Sequence, residues 1–268
     1  MLAFREDRTR SMTKYFPRII GHSVEGRAIE AWIGPEAEGG TLLIGGFHGD
    51  EFATISLLRE FRPAVTGVVV LPMLNPDGAE RGMRYNARGL DLNRNFDFNW
   101  RADSVEPSGP QPWSEPESRA LRDFISAVRP AKIVALHWAL AEIDADGVQS
   151  TALAEAMWAA LYEAERAPYR LRVTEVGRGQ RRLERIYAEC PGSLGQWAGY
   201  GLVYPDGSQP AVITLELPAE PELARAELLP EDHLESLRAR WARDSHGYLS
   251  VVEPGVRKML LAACAHGG

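Results

Sequence analysis

The sequence predicts an α/β fold: one domain over residues 1–268, built on a central, mostly buried, mixed β-sheet with helices on both faces. Three observations predict it. Apolar β-branched runs recur along the chain, segments with helical spacing alternate with them, and no linker or internal repeat divides the sequence. With 268 residues, 45% of them apolar and 25% charged, the chain can bury a sizeable core.

The elements follow in order. Ala28–Ile33 alternates apolar and polar residues and predicts an early strand. Thr41–Ile44 predicts a short buried strand that ends in Gly45 and Gly46, a pair that permits a tight turn. Residues 50–62 predict a helix stopped by Pro63, and 68–74 a second buried strand running into the turn signal Asn75-Pro-Asp-Gly78. Leu90 to Arg94 alternates and predicts an extended segment. Residues 99–113 predict a long Pro-, Gly- and Ser-rich loop, a length often tied to function. Ser114-Glu-Pro-Glu117 predicts a capping box opening a helix to Val128. Residues 133–137 and Ala211–Leu217 predict two more buried strands, and 152–166, 234–242 and 257–265 predict helices. Residues 1–19 read as an N-terminal extension, and the segment 254–268 has no readable role beyond a packed helix.

Composition narrows the function classes. A formal net charge of -7 argues against sequence-independent nucleic-acid binding, which needs clustered Lys and Arg. The densest basic run, Arg178 to Arg185, includes Glu184 and reads as a solvated loop or face. Cys190 and Cys264 do not form a disulfide framework and read as thiols of a reducing compartment. No segment has the apolar length of a signal peptide or a membrane span, so a cytoplasmic enzyme is the expectation.

Four side chains stand out because they fall at or just after predicted strand ends: His48, Asn75, His137 and Glu216. In open α/β sheets that is where ligands bind. His48 and Glu51, three positions apart at a strand-to-helix junction, can reach one ion, although this spacing alone arises easily by chance. A third ligand would complete a catalytic zinc set with a position left for water. His137 is either that ligand or a satisfied core histidine. Glu216 lies in an otherwise apolar strand, where an unpaired carboxylate is costly, so it meets a cation or faces a polar cavity. Beside an activated water it would serve as general base. Asn93 and Arg94 offer a neutral and a cationic donor side by side, and an arginine fork matches a carboxylate.

Taken together, His48-Gly-Asp-Glu51, Asn75-Pro-Asp-Gly78, Asp91 to Phe96, Leu136-His137 and Thr214 to Glu216 resemble the zinc carboxypeptidase family, as does the turn Ile20 to Arg27. The resemblance implies one zinc ion held by His48, Glu51 and His137, with Glu216 as base and proton shuttle. It implies that Arg84 polarises the scissile carbonyl and that Asn93 and Arg94 grip the terminal carboxylate of a small peptide substrate. Asp91 would hold the first histidine from behind. Within the family the chain looks most like the murein tripeptide amidases, bacterial cytoplasmic enzymes that cleave the γ-D-glutamyl–meso-diaminopimelate bond of recycled cell-wall peptide; Glu142 to Asp146 and Pro191 to Gly195 are among the cues. Trp138 departs from the pattern and is expected to narrow the pocket, and the tyrosine that covers substrate in digestive members has no clear counterpart among Tyr187, Tyr200 and Tyr204. The aspartoacylase and succinylglutamate desuccinylase group, which cleaves N-acyl amino acids, is a rival, as is a relative that binds metal or peptide without catalysis. Asn75-Pro-Asp-Gly78 and the lack of a separate C-terminal β-domain favour the peptidase.

Overall fold

The structure is a computed structural model that describes residues 14–173, 190–219 and 231–267, with only the backbone path for 231–247. The basic run 178–185 and Tyr187 lie outside the described residues. The strands are β1 (Phe16–His22), β2 (Ala28–Ile33), β3 (Thr41–Ile44), β4 (Val68–Leu71), β5 (Lys132–Trp138), β6 (Glu142–Asp146), β7 (Arg170–Arg172) and β8 (Ala211–Leu217). They form one sheet in the order β1-β2-β4-β3-β5-β8-β6-β7. Its centre, β4-β3-β5-β8, is parallel, while β2 and β6 join antiparallel on either side. The sheet is therefore mixed, as expected.

Both faces are buried, and period-two alternation sorts side chains between them. Leu43, Val70, Val134 and Ile213 pack under α1 (Phe52–Glu60), α4 (Thr151–Ala159) and the C-terminal helix Glu231–Ala265. Leu42, Val69, Ile133 and Val212 pack under α3 (Pro116–Val128) and the short helical segment that starts at Leu194–Gln196. Each such buried aliphatic stabilises the fold by about 1.5–3 kcal/mol. Parallel strands covered on both sides have no reason to carry polar residues, which is why these runs are continuous.

Several expectations are corrected. Asn75-Pro-Asp-Gly78 is not a free turn but the start of α2 (Pro76–Arg81): Asn75 caps it, accepting from Gly78 N at 2.9 Å, and Pro76 sits in the first turn. Asp77 accepts from Ser23 Oγ at 2.7 Å and Glu25 N at 3.0 Å, tying the β1–β2 turn to α2. Ser114 makes no capping box; its hydroxyl is taken up by Asn95 and Glu115, and Glu115 is the cap position. Leu92–Arg94 is a 3-10 turn rather than an extended segment, because Asp91 accepts from Asn93 N at 2.8 Å. The expected helix 152–166 breaks into α4 and α5 (Glu163–Arg166). The two expected C-terminal helices are one, running through Pro254; Val256, Met259, Leu260 and Ala263 beyond the proline are buried in the core. Packing there outweighs the local cost of proline. No helix among the described residues is long and apolar enough to cross a membrane.

The topology marks one place on the sheet. From β3 the chain crosses through α1 to β4 on one side, whereas β5 lies on the other. The crevice beyond the carboxyl ends of β3 and β5 is the switch point at which open α/β sheets bind ligands.

Candidate metal centre and active site

His48 follows β3 and His137 lies in the last turn of the pleat of β5, on the two strands that flank the switch point. Glu51 occupies the residue just before α1. Gly46 has φ +59° and lets the chain turn out of β3. A Cβ on Gly49 would fall 2.0 Å from the Gly78 carbonyl carbon, so only glycine lets the His48–Glu51 corner settle on α2. All three side chains are buried, and one donor atom from each lies within 4.8 Å of the others.

Their orientation is set from behind. His48 Nε2 donates to Asp91 Oδ1 at 3.1 Å, which leaves Nδ1 facing Glu51 Oε1 at 2.7 Å. His137 Nδ1 lies 3.4 Å from Glu51 Oε2, and Asn93 Nδ2 approaches its Nε2 at 3.5 Å. Burial disfavours a charged His48, but Glu51 and Asp91 outweigh it and hold its pKa up at about 10. Burial also disfavours ionised Glu51, yet His48 and His137 bring it down to about 2. Asp91, despite burial, is held well below the usual carboxylate range by His48 and Arg84. Glu51 Oε2 is buried with no hydrogen-bond partner. Two imidazole nitrogens and a carboxylate that converge in this way form a nitrogen–oxygen donor set that fits a divalent ion such as zinc.

Around this cluster stand the other expected site residues. Arg84 donates to Asp91 Oδ2 at 2.8 Å and has Nη1 3.4 Å from His48 Nδ1. Its Nε is buried without a hydrogen bond, 3.9 Å from Glu106. Asn93 Oδ1 accepts from Leu194 N at 2.9 Å. Arg94 Nη1 donates to the Asn93 carbonyl at 2.7 Å, and its Nη2 lies 3.8 Å from Cys190 Sγ. Glu216 pairs in register with His137 across the β5–β8 ladder. Burial raises its pKa, and its Oε2 is buried without a hydrogen-bond partner. The eight candidates, His48, Glu51, Arg84, Asp91, Asn93, Arg94, His137 and Glu216, are thus linked through direct contacts or strand register.

Three further findings refine the sequence picture. Trp138 does not narrow this pocket: one residue past His137, it turns to the α1 side of the sheet, with Nε1 donating to the Pro218 carbonyl at 3.0 Å. Tyr204 is buried, and its hydroxyl donates to the Pro130 carbonyl, just before the opposite end of β5, so it cannot cover a substrate at His137. Glu106, which sequence reasoning passed over, belongs to the long loop 99–113 and accepts from Tyr85 Oη at 2.6 Å, which places it beside Arg84. The only signal for it was the length of that loop.

The fold and this donor set define a metallopeptidase-like site, and comparison with known proteins names the class: residues 64–220 match the zinc carboxypeptidase family, and the chain belongs to it. Murein peptide amidase A of Vibrio campbellii is 30% identical over 222 residues, 76% of this chain and 77% of its own length. Murein peptide amidase A of Escherichia coli K12 is 35% identical over 175 residues, 58% of this chain; the match spans 64% of the relative's length. The crystal structure of the murein-tripeptide amidase from Escherichia coli O157 superposes with a TM-score of 0.55 at 28% identity, covering 85% of this chain and 93% of that one.

Proposed function

We propose that the protein is a zinc-dependent hydrolase of an amide bond at the carboxylate-bearing end of a peptide, acting on murein tripeptide at the γ-D-glutamyl–meso-diaminopimelate bond. The observation that carries this is the buried cluster of His48, Glu51 and His137, one donor atom from each within 4.8 Å of the others, with Glu216, whose Oε2 has no hydrogen-bond partner, in register beside His137. Similarity to murein peptide amidases supports the choice of substrate.

One zinc ion is the cofactor, held by His48, Glu51 and His137; bound there, it polarises a carbonyl and activates water for attack. The chain's own residues do the rest. Arg94 and Asn93 grip the terminal carboxylate and set the register of the peptide. Arg84, restrained by Asp91, donates to the carbonyl oxygen as negative charge develops on it. Glu216 removes the proton from the attacking water and passes it to the leaving amine. Its raised pKa suits this work, because a more basic carboxylate accepts a proton more readily. The substrate is a small cell-wall peptide being recycled in the cytoplasm, without nucleic acid or membrane as partner. The test is mass analysis of products after incubation of the zinc-loaded protein with murein tripeptide. Release of free diaminopimelate is expected; intact tripeptide alongside cleavage of N-acyl amino acids would replace this reading with a deacylase.

A further inference from the structure

Arg84 reaches the metal cluster with one of its nitrogens unanswered. Nη2 donates to Asp91 Oδ2 at 2.8 Å, Nη1 stands 3.4 Å from His48 Nδ1, and Nε is buried without a hydrogen bond. A buried N–H of a charged group that lacks an acceptor is costly. Facing that nitrogen is Glu106, whose Oε2 lies 3.9 Å from Nε. A shift of about 1 Å closes the gap to an ordinary N–H···O distance. Nε and Nη2 form the side-on edge of the guanidinium fork, the edge that carboxylates grip. With Asp91 on Nη2 and Glu106 on Nε, two anions clamp that edge, and Nη1 at the other end is the nitrogen that turns to a carbonyl.

The loop 99–113 is built to hold Glu106 there. Val105, just before it, is fully exposed, whereas the residues just after it are pinned. Pro107 O accepts from Asp91 N at 2.8 Å, and Ser108 O accepts from Asn95 Nδ2 at 2.8 Å and Trp100 Nε1 at 3.2 Å. The Asp91–Pro107 bond ties together the backbones of the two acids that flank Arg84. Tyr85, next to Arg84 in the chain, donates to the same Oε2 of Glu106 at 2.6 Å. That bond, with burial, pushes the tyrosine pKa up to about 12, so the hydroxyl remains a donor near neutral pH. The charge of Glu106 also reaches the guanidinium: burial lowers the pKa of Arg84, but Asp91, then Glu106 and Glu51, outweigh it and raise it.

The geometry points to Glu106 as a positioning residue for Arg84, holding Nε so that Nη1 meets the carbonyl oxygen of the substrate. This rests on the proposed hydrolase reading and deepens it. The hold matters most as negative charge develops on that oxygen, so its loss shows in kcat rather than in KM. A role confined to the fold of the loop needs only an acceptor for Tyr85, and a glutamine supplies one.

The experiment therefore uses Glu106→Gln, which keeps that acceptor and removes the charge beside Nε. The residue lies on a partly exposed loop, so the core is not disturbed. On murein tripeptide the zinc-loaded variant should lose about tenfold in kcat, the scale of one hydrogen bond to a charged group, with KM unchanged. In an Arg84→Ala background the same substitution should alter kcat by less than about twofold, because no guanidinium remains to be positioned. Independently of turnover, the Arg84 Hε signal in NMR should exchange with water several-fold faster in Glu106→Gln than in the wild type. An unchanged kcat, a loss of equal size with and without Arg84, or an Hε that exchanges equally fast in both proteins overturns the positioning role and leaves the hydrolase reading intact. No turnover of the tripeptide by the wild type overturns the hydrolase reading and the positioning role with it.

Discussion

Glu51 and Glu216 both neighbour His137, one by side-chain contact and one by strand register, yet their carboxyls are driven in opposite directions. At the β3–α1 corner Glu51 faces two imidazoles, and its pKa falls to about 2 in spite of burial. On β8, burial dominates and the pKa of Glu216 rises; His137 offsets it only in part, and Glu51 adds to the rise. Cationic partners within reach decide which carboxylate stays charged and which is poised to take a proton. Under the proposed function, one residue type would thereby serve as a ligand at one corner and as a base at the other.

The sharpest way to break this comparison is to remove the base alone. Glu216→Gln should lower kcat by roughly 10²–10⁴-fold, the usual scale of general acid–base catalysis, with zinc content unchanged by metal analysis. Retained turnover would place the base elsewhere. Arg84→Ala should lower kcat by about 10²–10³-fold, as loss of one oxyanion donor does. Because Arg84 also contacts Asp91, the corresponding Arg84→Lys variant should recover part of the loss if charge is what matters. Asp91→Asn acts on the His48 corner and also loosens Arg84; zinc affinity should weaken about 10–100-fold, and a chelator competition titration reads that part separately from turnover.

Two smaller effects extend the contrast to other carboxyls. Asp146 is an acid whose folded pKa is raised by burial to about 8, against an unfolded value of about 3.9. Between those two values the folded chain keeps a proton that the unfolded chain has lost. Stability therefore falls as pH rises from about 4 to 8 and is level above, and Asp146→Asn should flatten that slope in urea midpoints measured across pH. An unchanged slope would assign the effect to other groups. Tyr85→Phe, which removes the 2.6 Å hydrogen bond to Glu106, should cost about 0.5–1.5 kcal/mol of stability with a modest change in KM, read by denaturant melts and steady-state kinetics.

Much of the fold was legible in the sequence, and for a physical reason. Strands β3, β4, β5 and β8 are buried on both faces, so they read as unbroken β-branched runs. Strand β6 was invisible because three of its five residues are acids, Glu142, Asp144 and Asp146, and only its lower face is apolar. Strand β1 lies at the sheet edge with most of its residues exposed, and β7 spans three residues, so neither leaves a hydrophobic signature. The Ser114 box failed because Asn95, distant in sequence, claims the hydroxyl. Local rules cannot see such a partner.

The site was more legible than its support. His48, His137 and Glu216 stood out by falling at predicted strand ends and Glu51 by its spacing from His48, and the motif order tied Arg84, Asp91, Asn93 and Arg94 to them. Glu106 and the Asp146–Gly195 contact were not readable, since each depends on a loop or turn returning to the site from elsewhere in the chain.

Zinc titration by calorimetry, with metal counted by mass spectrometry of the folded chain, addresses the central claim most directly. The wild type is expected to bind one zinc per chain, and His137→Ala and Glu51→Ala should each abolish tight binding while the chain remains folded. Zinc bound as tightly by either variant as by the wild type would show that these side chains do not form the centre, and the hydrolase proposal would fall with it.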